Sequence, residues 1–147
     1  MKKNKLCFVC TGNTCRSPMA LFILKNKLLN HPEIELTVSS YGIKVVEESI
    51  NPNTKAVLKE NKIKMTKFVP KQMTLSKLHS YDAIVTMTDK ALYLLKEQGY
   101  QNVYSINQLT KTGDVLDPYG LDIGAYRVCF AHLDKACDII IDLLKRG

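Results

Sequence analysis

The segment from Phe8 to Ala20, FVCTGNTCRSPMA, constrains the fold of this chain more than any other stretch. It begins as the end of an apolar strand and turns at small polar residues around Gly12. It then restarts as a helix, with Ser17 predicted at the N-cap and Pro18 at the first helical position, where its missing N–H costs nothing. Such a connection directs several backbone N–H groups and the positive end of a helix dipole to one point, which predicts an anion site.

A cysteine stands at the rim of this anion site, and an arginine follows six residues later. Because a helix N-terminus and a neighbouring cation both stabilise a thiolate, Cys10 is predicted to be nucleophilic without a histidine. Arg16 can bind two phosphoryl oxygens at once and stabilise the charge that spreads over them in the transition state. Ser17 can donate its hydroxyl to the thiolate when the thiolate leaves. The loop therefore predicts attack by cysteine on the phosphorus of a bound phosphate group.

A leaving group also needs a proton, and the loop from Asp114 to Gly120 offers a donor. Pro118 fixes the backbone beside the carboxylate of Asp117. We therefore predict that Asp117 acts as general acid towards the leaving group and then as base towards the attacking water. Asp114 is the less favoured candidate, because no rigid element follows it.

The rest of the chain alternates apolar strands with amphipathic helices, which is typical of an α/β fold. Strands are predicted at 6–9, 34–39, 83–87 and 103–106, helices at 18–29, 52–61, 89–98 and 125–145, and a polar loop at 107–124. This order predicts one three-layer domain over residues 1–147, with a parallel sheet and helices on both faces. Ligands of such sheets bind at the carboxyl ends of the strands, where the cysteine loop lies.

Composition and charge limit the classes of binding partner and the cellular compartment that we expect for this protein. A net charge of +7 suits a phosphorylated or acidic partner. The lysines are scattered, with no basic stripe interleaved with aromatic residues, which argues against nucleic acid. No apolar run reaches the length of a membrane span, and the apolar stretch after the basic start Met1–Lys5 is too short for a secretory signal. We therefore expect a cytoplasmic protein that binds neither nucleic acid nor membranes.

The five cysteines fit neither a disulfide framework nor a metal site. Their number is odd and their spacing is uneven, and the single pair with CxxC spacing, Cys7 and Cys10, has no second such pair to complete a zinc site, so we expect no metal and no cofactor. Three of them are interpreted as small buried hydrophobic residues: Cys7, Cys129 and Cys137.

The segment from Cys10 to Ser17, its Ser-Pro-Met-Ala continuation and the late Asp-Pro-Tyr resemble the low-molecular-weight protein-tyrosine-phosphatase family. The order of elements agrees from residue 5 to 145. The resemblance implies a four-stranded parallel sheet, a cysteinyl-phosphate intermediate on Cys10, phosphate binding by Arg16 and the loop amides, and Asp117 as the acid. It also implies phosphorylated proteins as substrates, and inorganic phosphate or a similar oxyanion as a ligand of the loop.

The resemblance further assigns supporting residues. Asn13 would hold the loop in shape through a left-handed backbone conformation, with Ser40 as its hydrogen-bond partner. Cys15 resembles a second loop cysteine of the family, which can protect the nucleophile by a reversible disulfide. The implied phosphate-binding and supporting set is Thr11, Gly12, Asn13, Thr14, Cys15, Ser17 and Ser40, and the implied substrate pocket contains Thr14, Tyr41 and Tyr119.

Two departures from the family pattern bear on the substrate. Thr14 stands where tyrosine-specific members usually carry isoleucine, and threonine there resembles a bacterial subgroup that acts on phosphoarginine, as does the segment 113–118. A pocket with a hydroxyl and less apolar wall suits a guanidinium better than it suits a phenyl ring. Tyr41 stands where alanine is usual. Phosphotyrosine and phosphoarginine both stay open as substrates.

Other functions explain the sequence less well. Arsenate reductases of similar fold need two further cysteines in mid-chain, and none lies between Cys15 and Cys129. A phosphocarrier would leave the Asp117–Pro118 pair without a role. A phospho-residue binding module without catalysis would lack the nucleophile, the arginine or the acid, and all are present. A cysteine hydrolase would need a histidine near the strand ends, and none of the three lies there: His31, His79 and His132.

Overall fold

A four-stranded parallel sheet forms the centre of the computed structural model, which describes residues 4–147. The strands are β1 (Asn4–Cys10), β2 (Leu36–Gly42), β3 (Ala83–Thr86) and β4 (Val103–Ser105), in the order β2-β1-β3-β4. Strand β1 is central and buried on both faces, as its continuous apolar run predicts. The predicted fold class is confirmed. Residues 1–3 of the basic start lie outside the described residues.

Helices cover both faces of this sheet. They are α1 (Arg16–Leu28), α2 (Pro52–Glu60), α3 (Leu75–Leu78), α4 (Asp89–Glu97), α5 (Ile106–Thr110) and α6 (Ile123–Arg146). Helices α1, α2, α5 and α6 pack on one face, and α3 and α4 pack on the other. Between residues 4 and 147, no helix combines the length and the apolar character that crossing a bilayer requires.

The alternation of side chains along β1 divides the core into two layers. Phe8 and Cys10 face α1 and α6, whereas Cys7 and Val9 face α3 and α4. The long apolar stripe of α6 packs against α1 and fixes the position of this helix, which follows residues 11–15, the predicted phosphate loop. Burial of the three structural cysteines is confirmed: Cys7, Cys129 and Cys137.

Several boundaries differ from the prediction, among them strand β2, which spans Leu36–Gly42 and not 34–39, and two of the differences have clear local reasons. Helix α1 begins two residues early, at Arg16, and its N-cap Cys15 makes no side-chain capping bond. Ser17 therefore lies within the helix and is not its N-cap. Its hydroxyl instead contacts the sulfur of Cys10. The predicted loop opens instead as helix α5, whose N-cap Ser105 accepts a hydrogen bond from the N–H of Gln108. Ser105 ends an apolar strand, which concealed its capping role in the sequence.

Candidate active site

The loop after β1 borders a cavity of about 360 Å³ at the carboxyl end of the sheet. The cavity brings together the predicted nucleophile, the arginine and the acid, although the acid lies far away in the sequence. Its lining consists of Cys10, Thr11, Gly12, Thr14, Cys15, Arg16, Lys44, Val46, Glu47, Asp117 and Tyr119.

The backbone of the loop is arranged to receive an anion. Within residues 4–147, the N–H groups of residues 12–16 donate no hydrogen bond to another protein atom. The loop leads into the 13-residue helix α1, whose positive dipole end lies at this point. Consecutive free N–H groups at a helix N-terminus are a well-suited phosphate site.

The sulfur of Cys10 receives two polar contacts from Ser17, with Oγ at 2.9 Å and the backbone N at 3.4 Å. Asn13 Nδ2 donates to the same Ser17 oxygen at 2.8 Å. That oxygen therefore accepts from Asn13 and keeps its own hydrogen for a neighbour. The sulfur is closer than the other acceptor, the carbonyl of Tyr41 at 3.4 Å. A hydroxyl and an N–H directed at one sulfur stabilise a thiolate.

Asn13 holds the loop in shape. Its φ of 58° lies in the left-handed region, which asparagine adopts more readily than most residues. Its buried side chain donates to the hydroxyls of Ser17 and Ser40 and accepts from the N–H of Lys71 at 2.9 Å. The Ser40 contact was predicted, whereas the Lys71 backbone was not. Gly42 permits this close approach, because a Cβ there would lie 3.0 Å from the Cβ of Asn13.

Arg16 and Asp117 face each other across the cavity. Arg16 Nη1 donates to the carbonyl of Val115 at 3.1 Å, and Nη2 lies 3.6 Å from Asp117 Oδ2. The side chain of Arg16 is 9% exposed and that of Asp117 is 49% exposed, so the guanidinium is fixed while the acid meets solvent.

The loop that carries the acid is anchored where it begins. The N–H of Gly113 donates to Asn107 Oδ1 at 2.9 Å, and Asn107 Nδ2 donates to Asp89 Oδ2 at 3.1 Å. The N–H of Asp89 donates in turn to Asp114 Oδ1 at 3.0 Å. Asp114, the less favoured acid, is therefore engaged at the start of α4 and does not line the cavity.

The structure does not bring Tyr41 into the pocket where the sequence predicted it. Tyr41 follows Ser40 in β2, and the strand alternation sends the two side chains to opposite faces of the sheet. The hydroxyl of Tyr41 lies 3.3 Å from that of Tyr81, and Lys71 Nζ lies 4.9 Å from its ring centre. The other predicted pocket residues, Thr14 and Tyr119, do line the cavity.

The three histidines lie outside the cavity lining. Each has a polar neighbour outside the cavity lining: His31 lies near Glu33, His79 Nδ1 near the carbonyl of Ser76, and His132 Nε2 near the hydroxyl of Thr112. A cysteine–histidine hydrolase therefore gains no support from the geometry.

Part of the cavity wall comes from a loop without a recognisable sequence motif, and it was not predicted from the sequence. The loop after β2 supplies Lys44, Val46 and Glu47. The N–H groups of Ile43 and Lys44 donate to the carbonyls of Cys10 and Thr11 at 2.9 and 2.8 Å, which holds this loop beside the phosphate loop. The hydroxyl of the buried Tyr126 in α6 lies 3.4 Å from the sulfur of Cys15.

Burial disfavours the thiolate form of four cysteines. It raises the pKa of Cys129 to about 12, and it also raises the pKa of Cys7, Cys15 and Cys137. A raised pKa leaves a thiol protonated at neutral pH, and only the thiolate is an effective nucleophile.

We expect iodoacetamide at pH 7 to alkylate Cys10 at least about tenfold faster than any other cysteine, because it borders the cavity and its sulfur receives two donors. Peptide mapping by mass spectrometry after timed labelling measures these rates. Inorganic phosphate should slow the reaction of Cys10 by occupying the loop. Faster labelling of Cys15, or labelling that phosphate does not affect, would contradict this description of the site.

Comparison with known proteins adds to this geometry. Residues 5–147 match the family described as low molecular weight phosphotyrosine protein phosphatase. The chain is 35% identical over 133 residues to the low molecular weight protein-tyrosine-phosphatase PtpB of Staphylococcus haemolyticus, covering 88% of this chain and 91% of that protein. It is 33% identical over 149 residues to a protein-arginine-phosphatase of Geobacillus stearothermophilus, covering 96% of each.

A solved structure agrees with the fold over nearly the whole chain. It is a cysteine-to-serine mutant of YwlE arginine phosphatase with a phosphorylated active-site serine. The two folds superpose with a TM-score of 0.89 at 28% identity, covering 97% of both chains.

Proposed function

The chain belongs to the low-molecular-weight phosphotyrosine protein phosphatase family, and from this premise we propose that it hydrolyses phosphoarginine side chains of proteins. Cys10 attacks the phosphorus and forms a cysteinyl phosphate while Asp117 gives a proton to the departing nitrogen. Water then attacks the phosphorus, Asp117 takes a proton from that water, and the Cys10 thiolate leaves. The products are inorganic phosphate and the unmodified side chain.

The contacts within the cavity support these roles. Arg16 is fixed by the Val115 carbonyl and can bind two phosphoryl oxygens, while the loop N–H groups bind the others. The Ser17 hydroxyl lies 2.9 Å from the sulfur and stabilises it as a leaving group in the second step. The phosphorylated active-site serine of the YwlE mutant supports a covalent step at the equivalent position.

The position and contacts of Thr14 are the main support for phosphoarginine as the substrate. It lines the cavity and is only 4% exposed, and its carbonyl accepts from the N–H of Asn51 and the hydroxyl of Thr54, both at 3.1 Å. Its own hydroxyl makes only a long contact of 3.7 Å to the sulfur of Cys15. A guanidinium N–H can donate to that hydroxyl, whereas a phenyl ring would leave it without a strong partner.

The proposed partners are phosphorylated proteins, with inorganic phosphate as product and competing ligand of the loop. We place the reaction in the cytoplasm, because all five cysteines are free and the nucleophile works only as a thiol or thiolate.

A Thr14→Ile variant should lower the kcat/KM ratio of phosphoarginine to phosphotyrosine peptides by roughly tenfold or more. The substitution removes the hydroxyl that pairs with the guanidinium and adds apolar wall that suits a ring. Steady-state kinetics on two peptides of otherwise identical sequence measure the ratio.

Two companion variants separate the hydroxyl from the volume of the side chain. Thr14→Ser keeps a hydroxyl and should retain the phosphoarginine preference, whereas the nearly isosteric Thr14→Val should lose it. A wild-type protein that prefers phosphotyrosine, or a ratio that Thr14→Ile leaves unchanged, would refute the proposed substrate.

A further inference from the structure

A hydrogen bond at the mouth of the cavity joins the loop after β2 to the loop that carries the acid. The hydroxyl of Tyr119 donates to Glu47 Oε1 at 2.8 Å. Both residues are exposed, and Tyr119 also follows Asp117 closely in the chain. The Glu47 carboxylate holds its partner in the phenol form and raises the pKa of Tyr119. The bond fixes the direction of one carboxylate oxygen and leaves the other available.

A second cavity of about 330 Å³ lies on the other side of this pair. Thr14, Glu47 and Tyr119 line both cavities, so these three residues form the wall that the cavities share. The rest of the second cavity is uncharged: Ser49, Ile50, Asn51, Pro52 and Gly120. Glu47 is therefore the only charged side chain among the residues that line it.

The negative charge of Glu47 does not help the first cavity to bind a phosphate group. A carboxylate beside a site for a dianion repels the ligand, and the other acidic residue of the first cavity, Asp117, has a chemical role that accounts for its presence. Among residues 4–147, no lysine, arginine or histidine lies within ion-pair distance of Glu47. A cation that the substrate brings to this position would offset the repulsion.

We propose that the second cavity is a subsite for a residue next to the phosphorylated one in the substrate chain, and that Glu47 selects lysine or arginine there. Consecutive Cα atoms of a peptide are about 3.8 Å apart, so a side chain one or two positions away can reach a cavity that shares a wall with the phosphate site. Its ammonium or guanidinium group pairs with the carboxylate oxygen that Tyr119 leaves available. This subsite rests on the proposed protein phosphatase function and adds a sequence preference to it.

The test compares two phosphopeptides that differ only in one flanking residue, lysine or its neutral analogue acetyl-lysine. Wild-type protein should favour the lysine peptide in kcat/KM by about three- to tenfold, and the preference should fall as salt is added. Glu47→Gln should bring the ratio to about one while the fold is kept, because the residue is exposed. Glu48→Gln is the matched control, since Glu48 is its exposed neighbour outside both cavity linings and should keep the wild-type ratio.

Three results would overturn the subsite: a wild-type ratio of one, a ratio that Glu47→Gln leaves unchanged, or an equal loss in Glu48→Gln. Measuring the ratio with phosphoarginine and with phosphotyrosine peptides separates this proposal from the choice of substrate, because either series reports it. If Glu47→Gln instead slows only phosphoarginine peptides, whatever the flanking residue, Glu47 binds the substrate's own guanidinium and the subsite is refuted. Absence of turnover in both series would refute the phosphatase function, and the subsite with it.

Discussion

A Cys10→Ser variant is expected to lose turnover of p-nitrophenyl phosphate by a factor on the order of 10⁴ or more. The serine hydroxyl stays protonated under conditions in which the thiolate forms, and as an alkoxide it is a much poorer leaving group from phosphorus. Both chemical steps are therefore slowed, while Arg16 and the loop N–H groups still bind phosphate. Steady-state release of p-nitrophenol measures the loss, and phosphate affinity measured by calorimetry should stay close to that of the wild type.

Cys137→Ser is the control for replacing a thiol by a hydroxyl. Cys137 is fully buried between α1 and α6, where its sulfur donates to the carbonyl of Ala20, a bond that serine can also make. This variant should remain active, with any cost appearing as a lower melting temperature. Substantial turnover by Cys10→Ser would show that another group attacks the phosphorus.

An Asp117→Asn variant should lower kcat/KM, which reports the first chemical step, by about 10²- to 10⁴-fold on substrates with poor leaving groups, because asparagine cannot give the proton. The nitrogen of phosphoarginine must be protonated as it departs, and turnover of phosphoarginine should therefore fall most. p-Nitrophenolate leaves without a proton, so its departure should be slowed least. A series of aryl phosphates with graded leaving-group pKa values measures this dependence.

Asp114→Asn provides a matched control three residues away in the same loop. Asparagine retains the oxygen that accepts from the N–H of Asp89, so the loop anchor and the leaving-group dependence should both be preserved. Equal losses for good and poor leaving groups in Asp117→Asn would contradict its role as the acid.

The sequence predicted the residues of the phosphate loop because strand, turn and helix follow one another without interruption in a short segment. Within such a segment, local geometry decides where each group points. Asp117 was also predicted, because a proline beside a carboxylate gives a rigid turn and the mechanism requires a proton donor. These two segments meet because parallel strands deliver their following loops to one edge of the sheet.

Residues placed by long-range packing could not be predicted in the same way. Glu47 belongs to a loop without regular structure, and its position depends on backbone bonds to the phosphate loop and on Tyr119. Lys71 contributes only its backbone N–H to Asn13, so its identity carries no signal. Tyr41 was misplaced because its pocket role came from family resemblance, whereas the alternation of β2 turns its side chain away.

The central claim is that the phosphoryl group passes through Cys10, and the Asp117→Asn variant tests it most directly. With p-nitrophenyl phosphate the first step needs no acid, whereas hydrolysis of the cysteinyl phosphate needs a base, so the intermediate should accumulate. Rapid mixing should show a burst of about one p-nitrophenol per protein molecule, followed by slow release. Peptide mapping after rapid quenching should find the phosphoryl group on Cys10. A phosphoryl group on another residue, or the absence of a phosphorylated protein, would contradict the mechanism.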